Sequence, residues 1–196
     1  MKLNKKAKLA IIGCGAVTQN FYIPALKSLN ICPVIFVDKN IDSARKCSKK
    51  FRGSQALLSI ENNYEKFNEA IITLPNTLHY SFAKELLNKG KNLLIEKPLT
   101  SNSLESAELM TIANNNLVVI CGNMRRQLRS AKFIKKIISN KTLGNVISFK
   151  CREGGIFNWP IQSESFWKKD FSGGGVLLDT GSHTLEQIFY HLGIPD

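Results

Sequence analysis

Residues 73–99 read TLPNTLHYSFAKELLNKGKNLLIEKPL. The apolar run that leads into Leu74 ends at Pro75-Asn76, a turn pair. Residues 77–88 then carry apolar side chains at helical spacing, Gly90 stops the helix, and residues 92–96 form a second short apolar run. Strand, helix and strand in so short a length make a βαβ unit, whose two strands lie parallel. Lys97 follows the second strand directly, so its amine stands at a strand's carboxyl end, where open α/β sheets bind their ligands. Pro98 cannot continue a ladder and turns the chain outward. The plainer alternative is an ordinary βαβ unit that ends in a surface lysine.

The same grammar extends to either side. Residues 8–12 read as a short apolar strand, 20–29 as a helix with Pro24 near its first turn, and 33–38 as a strand rich in β-branched residues. Residues 41–51 are helical with Asp42 in the first turn, 54–58 form a weak third strand, and 69–74 a buried one. Downstream, 103–114 is a helix for which Ser101-x-x-Leu104 gives a partial capping signal, and 117–122 closes the set. Alternating strands and helices over residues 1–123 predict an α/β fold with a doubly wound parallel sheet.

Gly13-x-Gly15-x-x-Thr18 joins the first strand to the first helix. Gly13 permits the tight turn, and Gly15 lets the backbone at Ala16 and Val17 approach a pyrophosphate at the helix N-terminus. Asp38 ends the second strand, about 20 residues on, where a carboxylate meets the adenosine ribose hydroxyls. A carboxylate there repels a 2′-phosphate and favours NAD over NADP, although Lys39 works against it. Thr18 replaces a third small residue, which implies slightly wider helix–sheet packing. The alternative is a Rossmann-like domain that binds no nucleotide.

Beyond Asn123 the grammar changes, and residues 124–196 are expected to begin a second, α+β domain. Arg125, Arg129, Lys132 and Lys136 recur at helical spacing opposite Leu128, Ala131, Ile134 and Ile138, a basic amphipathic helix over about residues 127–139. Its cations either solvate an outer face or attract a phosphorylated substrate. Residues 144–152 alternate like an exposed strand of a different sheet. A loop with Phe157, Trp159 and Trp167 follows, then Gly173-Gly174-Gly175 and a helix over 176–192 with Leu185, Ile188, Phe189 and Leu192 in one stripe. Asp179 and His183, four apart, share a helix face, and Gly181 between them leaves room for close approach. His191 reads as ordinary surface.

Composition agrees with a folded domain: 196 residues, 43% hydrophobic and 21% charged. No run reaches the roughly 18 apolar residues of a membrane span. The apolar stretch before Cys14 is too short for a secretory leader, so a cytoplasmic protein is expected. Five cysteines without a CxxC pair read as reduced thiols rather than metal ligands. The net charge of +12 is spread along the whole chain, which argues against a dedicated nucleic-acid patch.

Residues 73–99, the GCG turn and Gly173-Gly174-Gly175-Val-Leu-Leu-Asp179-Thr-Gly181-Ser-His183 together resemble the Gfo/Idh/MocA family of NAD(P)-dependent oxidoreductases. The resemblance implies hydride transfer between NAD and a sugar, polyol or nucleotide-sugar, with Lys97, Asp179 and His183 as the catalytic set. It places Gly13, Gly15, Ala16, Val17, Asp38, Leu74, Pro75, Asn76, His79, Glu96 and Lys97 around the dinucleotide. His79 is either part of that set or a polar residue of the helix N-terminus without a chemical role. Tyr22 stands where the family often has histidine, and Glu186 where it has aspartate. Members continue well beyond this length, so an incomplete second domain is expected; the partners expected are a small-molecule sugar or polyol and a second copy in a homo-oligomer, and the alternative function is a non-catalytic dinucleotide sensor or an inactive truncated form.

Overall fold

The computed structural model describes residues 8–114, 116–156 and 175–194. The loop aromatics Phe157, Trp159 and Trp167, and Gly173-Gly174, lie outside them. Six parallel strands form one sheet: β1 (Leu9–Ile12), β2 (Ile35–Val37), β3 (Gln55–Leu57), β4 (Glu69–Ile72), β5 (Asn92–Ile95) and β6 (Val119–Cys121), in the order β3-β2-β1-β4-β5-β6. The strand order reverses between β1 and β4, whose register pairs Ile12 with Ile72. Such a reversal opens a crevice at the strands' carboxyl ends.

The inner strands are mainly apolar because both faces of the sheet are covered there, whereas the edge strands β3 and β6 stay partly exposed. Ala10 and Ile12 pack with Ile72, Leu93 and Ile95 under α3 (His79–Asn88) and α4 (Ser103–Ala113). Leu9 and Ile11 face the other way, with Phe36 and Ile71, onto α1 (Ile23–Ser28) and α2 (Ile41–Ser48). A period of two thus splits one strand between two cores.

Four expectations need correction, the fourth of them at His191 below. The first helix begins at Ala16, four residues earlier than expected, and passes through a wide π turn, Thr18–Tyr22, before α1. Helix α4 is capped by Asn102 rather than Ser101: its side chain accepts from the Glu105 N–H at 3.0 Å, and the Glu105 carboxylate takes the Ser101 N–H at 3.1 Å. This reciprocal box lies one residue beyond the signal sought. Residues 144–152 form no strand, and Ile147 is 98% exposed. Alternation supplies two faces but no ladder, and no partner strand exists for it among the described residues.

After β6 a single 3₁₀ turn (Met124–Gln127) leads into α5 (Arg129–Ser139), and a second π segment (Leu177–Gly181) leads into α6 (Ser182–Leu192). Helix α6 packs beside α5 and returns to the sheet's carboxyl edge. Its Leu185, Phe189 and Leu192 stay substantially exposed. His191 is buried at 6% exposure, its Nδ1 without a partner, so it is not the surface residue expected. No helix among the described residues is long and apolar enough to cross a membrane.

Candidate active site

The glycine-rich turn is built around Thr73, at the end of β4. Gly13 has φ +99°, and a Cβ there would lie 2.8 Å from the Thr73 backbone. Only glycine meets both conditions. Thr18 is fully buried, with Oγ1 2.7 Å from the Gly13 carbonyl, to which it donates, and 2.8 Å from Thr73 Oγ1. The residue that departs from a third glycine therefore ties the turn to the helix through its hydroxyl.

Gly15 differs: a Cβ there would meet nothing within 4 Å. The chain's own packing gives no reason for glycine at that position. Beside it Ala16 and Val17 open the helix, where the first backbone N–H groups have no intrahelical acceptor. Asp38 holds the turn from the side, its carboxylate accepting the Cys14 N–H at 2.7 Å and the Asn40 N–H at 2.8 Å. Open space at Gly15, a helix N-terminus and a carboxylate at the end of β2 fit a dinucleotide.

Across the crevice lie the loops after β4 and β5. The Leu74 carbonyl faces His79 Nε2 at 2.9 Å, and the Pro98 carbonyl faces Nδ1 of the same ring at 2.7 Å. His79 is 1% exposed, and burial pushes its pKa down. Each ring nitrogen lies within hydrogen-bond distance of a backbone carbonyl, so the buried ring sits between the Leu74 and Pro98 loops and its one N–H ties it to one of them. Pro75 accepts the Leu78 N–H through its carbonyl, and the Asn76 side chain accepts the Thr77 N–H.

Glu96 is fixed on two sides. The Tyr22 hydroxyl donates to Oε1 at 2.7 Å, and the Lys97 N–H reaches Oε2 at 3.2 Å. Burial, then the Glu96 charge, drives the Tyr22 pKa well up. At Gly122 a Cβ would lie 3.2 Å from Glu96 Oε1. Tyr22 thus anchors the strand end that carries Lys97, a contact invisible in sequence because the partners are far apart along the chain.

Lys97 reaches out of β5 to the second half of the molecule. Its Nζ donates to Asp179 Oδ1 at 2.5 Å and to the Asp179 carbonyl at 3.0 Å. Asp179 lies in the π segment before α6, and His183 one turn on. Half-burial, then the Lys97 and Arg125 charges, hold the His183 pKa down at about 4, against the pull of Asp179 and Glu153. The imidazole is therefore neutral at pH 7. Gly181 makes room within its own helix, for a Cβ there would lie 2.8 Å from Leu177 Cδ1.

Sequence reasoning missed Glu153 and Thr184. Arg125 grips the Glu153 carboxylate with Nη1 at 2.8 Å and Nη2 at 2.5 Å, and the Thr184 hydroxyl donates to Oε2 at 2.5 Å. The neighbouring Arg126 pairs with Glu186 on α6.

Residues 7–123 match the family described as "Oxidoreductase family, NAD-binding Rossmann fold", and residues 132–196 match "GFO/IDH/MocA C-terminal domain". Oxidoreductase P35 of Formosa agariphila is 27% identical over 97% of this chain and 62% of its own length. Glucose-6-phosphate 3-dehydrogenase of Bacillus subtilis is 28% identical over 93% of this chain and 53% of its own. The crystal structure of an NAD-binding protein from Listeria innocua superposes with a TM-score of 0.83 at 26% identity, covering 96% of this chain and 55% of that one. The chain spans about half to three-fifths of the length of these proteins.

Proposed function

The chain belongs to the Gfo/Idh/MocA oxidoreductase family, and we propose that it oxidises a secondary hydroxyl of a sugar or polyol, or reduces the matching carbonyl, with NAD. The observation that carries this reading is the Lys97–Asp179 pair at 2.5 Å, which joins the carboxyl end of β5 to the helix bearing His183. An ammonium and a neutral imidazole then share one edge of the dinucleotide crevice.

Gly13, Gly15, Ala16 and Val17 hold the pyrophosphate, and Asp38 receives the adenosine ribose. Its negative charge opposes a 2′-phosphate, the basis for NAD over NADP. Leu74, Pro75, Asn76 and Glu96 line the path toward the nicotinamide, which when bound accepts or returns the hydride. An ammonium has three N–H donors, and Asp179 takes two of those of Lys97. The third points to the substrate oxygen and stabilises the alkoxide charge that develops as the proton leaves. His183, uncharged at neutral pH, accepts that proton. Asp179 keeps the ammonium aimed.

Calorimetry with NAD(H) on the whole chain comes first, with Asp38→Ala as control; micromolar binding lost in the variant is expected. A sugar and polyol panel then follows NADH absorbance for the native chain, Lys97→Met and His183→Ala. Turnover in the native chain should fall about 10²- to 10⁴-fold in each variant while NAD binding persists. Turnover indifferent to both substitutions overturns the assignment. Binding without turnover on any substrate of the panel supports the alternative reading, a dinucleotide sensor or an inactive form, over the dehydrogenase one.

A further inference from the structure

The Arg125–Glu153 pair lies next to His183 yet takes no part in the reaction above. Arg125 sits in the 3₁₀ turn that leaves β6, Glu153 in the irregular stretch before residue 157, and Thr184 in the first turn of α6. Three chain segments therefore meet on one carboxylate. The guanidinium takes both oxygens in a fork, a charge-assisted geometry stronger than an ordinary hydrogen bond. The Thr184 hydroxyl takes Oε2, and Thr184 follows His183 directly in the chain.

We propose that Glu153 and Arg125 are positioning residues for His183: Glu153 anchors the first turn of α6 through the Thr184 hydroxyl, and the ion pair balances charge beside the imidazole. The consequence for catalysis rests on His183 being the base; the device itself does not. The charged groups that act most on His183 are Lys97 at the end of β5, Asp179 in the π segment, Arg125 and Glu153. Lys97 and Asp179 neutralise each other, as do Arg125 and Glu153. Removing one member of a pair uncovers the other, so the two members act on the imidazole with opposite sign.

A brace of purely mechanical kind behaves differently. Losing either partner would loosen the stretch around Glu153, admit water to His183 and relieve its burial. The imidazole's titration midpoint would then rise in both variants.

The test is proton NMR titration of the His183 ring in the full chain, without cofactor or substrate. The chain has three histidines, and the His183 signal is the one lost in His183→Gln. Arg125→Gln should raise the His183 midpoint by about one pH unit, since the Glu153 charge is left unopposed. Glu153→Gln, which keeps an acceptor for Thr184, should lower it below the native value. Arg125→Lys, which keeps the charge and loses the fork, should stay within about 0.3 units of native and serves if Arg125→Gln does not fold. Midpoints that move the same way in Arg125→Gln and Glu153→Gln, or that do not move, overturn the proposal, as does a Lys variant that behaves like the Gln one. The readout needs no turnover, so its failure leaves the dehydrogenase reading standing, and the reverse.

Discussion

Two glycines two positions apart carry different burdens. Gly13 is required by the fold: its φ of +99° and the Thr73 backbone 2.8 Å from a would-be Cβ both exclude a side chain. Gly15 is under neither constraint. Gly13→Ala should therefore destabilise the chain by about 2–4 kcal/mol, the sum of backbone strain and overlap with a main chain that cannot retreat. Gly15→Ala should leave the melting temperature unchanged or slightly raised, because alanine loses less entropy on folding. It should nonetheless weaken NAD binding about tenfold or more, since its methyl occupies space the protein leaves open. Thermal unfolding and calorimetry on the two variants separate these outcomes. Equal destabilisation would mean that Gly15 too serves the turn, and the pyrophosphate role would fail.

At the scale of elements, the π turn Thr18–Tyr22 shows how the chain tolerates a bulky residue where a third glycine is customary. The Ile23 N–H closes back on the Thr18 carbonyl, one residue farther than in an α-helix, and the Thr18 side chain fills the space with two hydroxyl contacts. Thr18→Val keeps the shape and deletes the hydroxyl. It should cost about 1–2 kcal/mol, or roughly 2–8 °C in melting temperature for a chain of this size. An unchanged melting temperature would mean that Thr73 satisfies the Gly13 carbonyl alone. The strands were legible from sequence because a parallel sheet covered on both faces leaves apolar runs such as Leu9–Ile12 and Ile35–Val37. Lys97, Asp179 and His183 were legible as residue types near motif ends, while the Lys97–Asp179 bond spans a separation no local pattern encodes. Tyr22–Glu96 and Arg125–Glu153 were hidden for the same reason. The expected strand at 144–152 failed because strand identity depends on a neighbour, which alternation in one segment cannot supply.

For the molecule as a whole, the three histidines impose a common response to acid. Each has its pKa below the ordinary 6.5, and for each burial is the first cause: His79 between two loop carbonyls, His183 beside Lys97 and Arg125, His191 near Lys135. The unfolded chain takes up protons near 6.5, whereas the folded chain resists until lower pH, about 4 for His183. Stability therefore rises with pH across this window: full above about pH 6.5 and declining as the pH falls toward the folded values. Glu153, held down at about 2 chiefly by Arg125, adds a second decline between its ordinary 4.5 and that value. A net charge of +12 would also weaken the fold in acid through self-repulsion, but that contribution is screened by salt. Burial is not screened. Melting temperatures measured from pH 8 to pH 4 should stay flat down to about 6.5 and then fall, and the fall should persist in 0.5 M salt, where the Debye length is only about 4 Å. A decline that salt abolishes would trace acid sensitivity to net charge instead, and would mean that the histidines ionise in the folded chain as freely as in the unfolded one.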